Sequence, residues 1–410
     1  MKTFIFCGWI ALGLAVFAHA GSACTSAVIS GKATPDGRPI LWKNRDTSND
    51  QNCVKYFTGE RFSYVGVVNS DSESPKSVWI GVNSVGFAVM NTLSYNLKEK
   101  AAGESGGARN GSVMLRALAI CETVEDFRIF LDTMSQPRFV EANYGVIDAK
   151  GGAAMFEVSD STNVMFDAND PATAPFGYVV RTNFSYTGKA EAGSGHVRYE
   201  QADRFFFTAS ASRSITPEWI FKNVARSFTN PILGIDLKEG ALNWPNTTGW
   251  FVEQDFIARK KSTCSVAIQG VKAGELPELT TMWTVIGYPP VTPAVPIWVK
   301  GAGKQLPVQL VRDSNLKASP LCNAALKLRN QVYSFARGTD SDRYFYWELL
   351  HNTSGTGYMQ KLEPLEQDIF RESQARLNTW RKQGSLNTTE VYALYNALDK
   401  RISDFFQNNY

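Results

Sequence analysis

Cys24 is the residue of this chain best suited to covalent chemistry by its type and position. It lies just past Ala18-His19-Ala20, an A-x-A-like cleavage site that follows Lys2 and an uncharged apolar run from Phe4 to Phe17. A cysteine freed at a new N-terminus offers two groups at once. Its thiolate is a nucleophile, and its own α-amine, with a reference pKa near ~7.7–8.0, can take the thiol proton. Histidine is not needed for this, and it is scarce: His19, His196 and His351 are the three in the chain. His19 belongs to the leader, which leaves a thin supply for a metal site or a His-based triad. An N-terminal cysteine site would still need a cation to favour the thiolate, a carboxylate to orient the amine and donors for an oxyanion.

The remainder of the chain must fold around that residue. The sequence has 410 residues, 42 Lys+Arg against 39 Asp+Glu, with 44 % hydrophobic and 20 % charged residues. Those proportions exclude a largely disordered chain, and the near-balance of charge gives no basic footprint for nucleic acid. Residues 1–20 read as a signal peptide, 21–23 as a short propeptide or part of the leader, and 24–410 as a single domain. An exported protein follows, secreted or periplasmic. The apolar run of the leader is shorter than the roughly 20 residues a membrane helix needs. Ser77 to Leu97 and Leu279 to Val299 also lack charge, but Asn and Ser interrupt the first and four prolines the second. No integral membrane span is expected. Past the leader, Cys24, Cys53, Cys121, Cys264 and Cys322 remain, an odd number, so at least one thiol should be unpaired.

Strand patterns come in blocks. Thr25 to Ile29 and Pro39 to Lys43 flank an Asp36-Gly37 turn signal and read as a hairpin. Ser77 to Met90 reads as two apolar strands joined at Asn83-Ser84, and Ala101 to Gly111 as a polar, Gly-rich loop. Val113 to Ile120 has helical composition, and Thr123 with Asp126 marks a capped start for a second helix through Leu131. Tyr144–Ala149 and Ala153–Val158 form a hairpin around Lys150-Gly151-Gly152. Ser265–Val271 and Met282–Ile286 read as strands, and Pro289 to Pro296 as an extended crossing segment that cannot be helix. After about Ser319 the chain becomes helical. Asn387 and Glu390 cap a last helix whose stripe is Val391, Leu394, Leu398, Ile402 and Phe405. Blocks of strands and blocks of helices favour an α+β class. No dinucleotide fingerprint, P-loop, H-E-x-x-H or C-x-x-C occurs, so neither a cofactor nor a metal is expected.

Cys24-Thr25-Ser26, Asp36-Gly37 and Lys43-Asn44-Arg45-Asp46 together resemble the start of the N-terminal-nucleophile cysteine hydrolases. That group includes choloylglycine hydrolases, penicillin V acylases and the acyl-coenzyme A:6-aminopenicillanic acid acyltransferase family. Its pattern is a terminal Cys followed by a hairpin with a basic residue and, three residues on, an Asp. The resemblance assigns those places to Lys43 and Asp46; Lys where the bile-salt enzymes have Arg brings the chain closer to the acyltransferase-like branch. Gly86 to Asn91 is similar to a strand ending in a site Asn, and Val180 to Asn183 to a segment with a second. Arg198 is similar to a later site Arg, with Arg204 as the competing choice. Thr281-Met282-Trp283 and the Pro-rich segment resemble late sequence of the group.

The resemblance implies a four-layer αββα sandwich and hydrolysis of a linear amide through an acyl-thioester, or acyl transfer from the same site. Cys24, Lys43, Asp46, Asn91, Asn183 and Arg198 are then the catalytic set. Lys43 favours the thiolate, Asp46 orients the amine, and Asn91 and Asn183 hold the oxyanion or leaving group. The partner is a small-molecule N-acyl amide; a homo-oligomer is compatible with the sequence. Two competing readings stand beside it. Asn183-Phe184-Ser185 is also a glycosylation sequon. Cys24 could carry lipid as the anchor of a non-catalytic surface binding protein.

Overall fold

The computed structural model describes residues 23–97, 109–240, 248–337 and 340–410. Residues 1–22, which include the expected signal peptide, and most of the Ala101–Gly111 segment lie outside the described residues. The first hairpin is longer than the sequence pattern suggests: β1 (Ala23–Ile29) pairs residue for residue with β2 (Ile40–Asp46). Then come β3 (Asn52–Phe57), β4 (Tyr64–Asn69), β5 (Ile80–Asn83), β6 (Ala88–Leu93), β7 (Ala142–Ile147), β8 (Ala153–Val158) and β9 (Asn163–Asp167). These seven form one antiparallel sheet in chain order. β10 (Tyr178–Arg181) returns to the edge of β1. Two short pairs follow in the chain, β11 (Thr229–Asn230) with β12 (Ile235–Asp236), and β13 (Trp250–Val252) with a later strand. β14 (Ser262–Gln269), β15 (Thr281–Ile286) and β16 (Val295–Ile297) complete a six-stranded sheet of order β10-β1-β2-β14-β15-β16.

The two large sheets pack face to face. Alternation sends Val28 and Leu41 toward the seven-stranded sheet, where they meet Gly145 of β7. A Cβ at Gly145 would fall 2.8 Å from Leu41 Cδ1 and 2.8 Å from Val28 Cγ2, and would collide with Met90 Cε. Only a glycine allows that approach. The outer face of the seven-stranded sheet is covered by α1 (Asn110–Ile120) and α2 (Val124–Thr133). Thr123 and Asp126 form the expected capping box. The outer face of the six-stranded sheet is covered by α3 (His196–Ala211), the turn α4 (Pro217–Trp219) and C-terminal helices, with Phe370 stacked on Trp283 at 4.2 Å between centroids. This is the αββα sandwich that the resemblance implies.

Two expectations are corrected. The Pro-rich segment contains a 3-10 turn, Pro289–Val291, before β16. One such turn needs a single i→i+3 bond, given by Val291 N to Tyr288 O (3.1 Å), so the prolines forfeit no donor. The C-terminal region is also not purely helical. α5 (Leu237–Gly240) precedes it, and α6 (Pro320–Val332) starts at the Ser319 cap. A hairpin of β17 (Phe335–Arg337) and β18 (Asp340–Tyr346) then joins β13 before α7 (Trp347–Leu350). α8 (Tyr358–Gln383) and α9 (Thr388–Asn409) end the chain's fold; Val391, Leu394, Leu398 and Ile402 are buried, while Phe405 is half-buried.

Candidate active site

The β1–β2 register decides which side chains share a face. Cys24 stands opposite Arg45, Ser26 opposite Lys43, and Ala23 opposite Asp46. By the period of two, Cys24, Lys43 and Arg45 face the seven-stranded sheet, while Asp46 and Thr25 face the opposite way. The thiol and the carboxylate thus lie on opposite sides of the sheet, with the Cys24 main chain between them.

On the inner face, Lys43 Nζ donates to Asn91 Oδ1 (2.9 Å) and to the Trp79 carbonyl (3.0 Å). Burial lowers its pKa, and the coupling to Cys24 opposes that shift. Because a lysine can only donate, Asn91 Oδ1 is fixed toward Lys43 and its amide Nδ2 is left for another acceptor. Arg45 is a second buried cation on this face. Its guanidinium donates to Asn69 Oδ1 (2.9 Å) and to Asn52, and lies 4.5 Å from the Trp79 ring centroid. Cys264 continues the Cys24–Arg45 row into β14, and burial raises its pKa to about 11. Burial likewise pushes the Tyr95 phenol, which also senses the Cys24 charge, up to about 12.

At the main chain, Cys24 N donates to Asn183 Oδ1 (2.9 Å). This nitrogen would be the α-amine after processing. The structure gives its hydrogen bond to Asn183, not to Asp46. Asn183 Oδ1 also accepts from Arg198 Nη2 (3.1 Å), and its Nδ2 donates to the Leu93 carbonyl (2.7 Å). Its amide is therefore committed to orientation, which leaves Asn91 Nδ2 as the better oxyanion donor. Asn183 is fully buried, which leaves no room for a glycan.

Arg198 enters from the first turn of α3. It donates through Nη1 to the Cys24 carbonyl (2.7 Å) and Thr25 Oγ1 (3.1 Å), and through Nε to Asp255 Oδ1 (2.9 Å). Burial and the Arg259 charge lower its pKa, against the pull of Asp255 and Asp46. The preceding Gly195 has φ +84°, and a Cβ there would strike the Arg198 guanidinium. Arg204, the competing choice, is an exposed partner of Glu200 on the same helix. His196 packs on Phe184, with ring centroids 4.4 Å apart.

Asp46 is fully buried. Arg259 Nε donates to its Oδ2 (2.7 Å) and Ser262 Oγ to its Oδ1 (2.7 Å). A β-bulge between Ser262 and Cys264 lets β14 offer Ser262 to Asp46 while Cys264 pairs with Arg45. Burial works against the charge of Arg259, but Asp46, Asp255 and Glu253 outweigh it and raise its pKa. Arg259 and Arg45 were not singled out by sequence. The available signals were the basic run Arg259-Lys260-Lys261 before a strand and the register that puts Arg45 across from Cys24.

The five described cysteines are all buried and unpaired. Among the described residues there is no cluster of three His, Cys, Asp or Glu side chains that could hold a metal ion.

The depressed pKa of Lys43 has a testable consequence. Its ordinary value is 10.5, and in the folded protein it loses charge below that. A thiolate that depends on this charge should lose activity on the alkaline side, below the ordinary lysine range. In Lys43→Arg the cation persists past pH ~12, so partial activity should remain and the alkaline fall should vanish. A kcat/KM–pH profile with the same alkaline limb in both proteins would remove Lys43 from this role.

No protein-family model and no curated protein matches the sequence. Among solved structures, the chain is similar to an N-acylethanolamine-hydrolyzing acid amidase ortholog of Caenorhabditis elegans. That match has 13 % identity and TM-score 0.40, over 62 % of this chain and 93 % of that one. A variant of conjugated bile acid hydrolase from Clostridium perfringens matches at 14 % identity and TM-score 0.41, over 68 % and 93 %. Penicillin V acylase from Agrobacterium tumefaciens matches at 14 % and 0.38, over 68 % and 86 %.

Proposed function

We propose that this chain is an exported amidohydrolase with Cys24 as an N-terminal nucleophile. The observation that carries the reading is the treatment of Cys24 itself. Asn183 accepts from its nitrogen, Arg198 donates to its carbonyl, and two buried cations share the face of its thiol. A half-cystine or a packing residue requires none of these.

In the mechanism, the free α-amine takes the thiol proton and the thiolate attacks the carbonyl carbon of an N-acyl amide. Lys43 and Arg45 favour the thiolate, and Asn91 Nδ2 is placed to donate to the oxyanion; one such donor is typically worth about 10²–10³ in rate. The α-ammonium then protonates the leaving nitrogen as the C–N bond breaks, giving an acyl-thioester and a free amine. Water, deprotonated by the same α-amine, attacks the thioester and releases the carboxylic acid. A second amine in place of water makes the reaction an acyl transfer. A lipid on Cys24 Sγ would lie between two packed sheets beside two cations, which disfavours the surface-anchor reading.

A panel of fatty-acyl, phenoxyacetyl and bile-acid amides tests the proposal. At least one should be cleaved to acid and amine, and rapid acid quench should trap a mass adduct of the acyl group on the Cys24 peptide. A cleaved substrate without a Cys24 adduct in any burst would count against the thioester.

A further inference from the structure

Asp255 has no part in the mechanism above, yet its placement is unusual in three respects. It adopts φ +54°, a left-handed conformation uncommon for a residue with a side chain. Its single Oδ1 accepts from two arginines, Arg198 Nε at 2.9 Å and Arg259 Nη1 at 2.5 Å. Both guanidiniums are largely buried, Arg198 completely, so their mutual repulsion is poorly screened. An anion between two such cations offsets that repulsion. Each cation also holds a second part of the site. Arg198 binds the Cys24 carbonyl and Asn183 Oδ1, and Arg259 binds Asp46.

We infer that Asp255 is a positioning residue for the amidase reaction. It locks Arg198 and Arg259 together and so seats the main chain and future amine of Cys24. The inference rests on the amidase reading but concerns a residue outside its catalytic set. The left-handed backbone supports it: strained conformations persist where the surroundings require a side chain at a set point. The backbone contribution can also be separated from the charge, because Asn tolerates this conformation nearly as well as Asp and Gly adopts it freely.

Asp255→Asn and Asp255→Gly should therefore fold normally. In both, kcat should fall about a hundredfold with KM unchanged, the scale expected when a catalytic group is misplaced by about 1 Å. Asp255→Asn/Arg198→Lys should lose clearly less than the product of the two single losses, because Asp255 acts in part through Arg198. Near-normal kcat in Asp255→Asn or Asp255→Gly, or losses that multiply in the double variant, would overturn the inference. A crystal structure of Asp255→Asn reads the clamp without any substrate. Arg198 Nη1 should be found beyond hydrogen-bond distance of the Cys24 carbonyl; an unmoved Arg198 refutes the clamp. Wild-type protein that cleaves no amide while the variant structure shows Arg198 displaced would instead fault the amidase reading alone.

Discussion

Cys24→Ala should lose turnover by at least ~10⁴-fold and should also keep the residues that precede position 24. Both losses follow from one geometry. Cys24 N lies in a peptide bond to Ala23 and donates to Asn183 Oδ1. In that linkage it has no basic lone pair, so the precursor carries a nucleophile without its base. Cleavage after Ala23 restores the base. The cleavage can use the same thiol. Cys24 Sγ attacks the Ala23 carbonyl carbon, the C–N bond breaks as the nitrogen gains a proton, and water hydrolyses the thioester formed. Under the proposed mechanism Lys43 and Arg45, on the face of the thiol, should assist that step as they should assist turnover. Cys24→Ser retains a weaker nucleophile and should be processed slowly; Cys24→Ala should not be processed through this route at all. Intact-mass measurement of active protein should show a chain that starts at Cys24 with an unmodified amine. Full activity in a chain that starts at Gly21, or in one with lipid on Cys24, refutes the mechanism.

What could be read from sequence divides along one physical line. The β1–β2 hairpin, the Thr123 cap and the α9 stripe are local, and turn residues, caps and apolar period specify them within a few residues. Cys24 was singled out by its spacing from an expected cleavage signal, and the structure adds only its hydrogen-bond partners Asn183 and Arg198. Long-range partners were not legible. Arg259 meets Asp46 across 213 positions of sequence, and Asp255 meets Arg198 across 57. No local pattern distinguishes those residues from solvated charges. Asn183 was named, but its acceptor role at the Cys24 nitrogen depends on Leu93 and Arg198 fixing its amide. The β17–β18 hairpin was missed for a related reason: it is a small addition to β13, and pairing with that distant strand stabilises it.

The two faces of β1 explain why the charges are not interchangeable. The thiol side carries Lys43 and Arg45, whose hydrogen bonds go to neutral oxygens of Trp79, Asn91, Asn52 and Asn69. The opposite side carries the alternating series Asp46, Arg259, Asp255, Arg198, in which each charge has an opposite neighbour. The first arrangement places two cations on one face of the sheet. The second alternates two carboxylates with two guanidiniums beside the Cys24 main chain, so its formal charges balance.

Asp46→Asn should reduce kcat/KM by about 10²–10⁴-fold, the range associated with loss of general acid–base catalysis. Asp46 is fully buried, and both its oxygens are engaged, one by Arg259 Nε and one by Ser262 Oγ. Asparagine can still accept from Ser262 through Oδ1, but its NH₂ then faces Arg259 Nε, donor against donor. Arg259 loses one of its two carboxylates and the series gains a net positive charge one residue from the amine. The α-ammonium becomes harder to form, so the acid limb of the kcat/KM profile should move to lower pH. Removing one member of a buried pair costs about 3–5 kcal/mol, so a lower melting temperature is also expected. Asp46→Asn/Arg259→Gln separates the two effects. The double variant is neutral where the pair stood and should recover much of the lost stability, yet remain as slow as Asp46→Asn. Near-normal turnover in Asp46→Asn, or activity that returns in step with melting temperature in the double variant, would reduce Asp46 to a purely structural role.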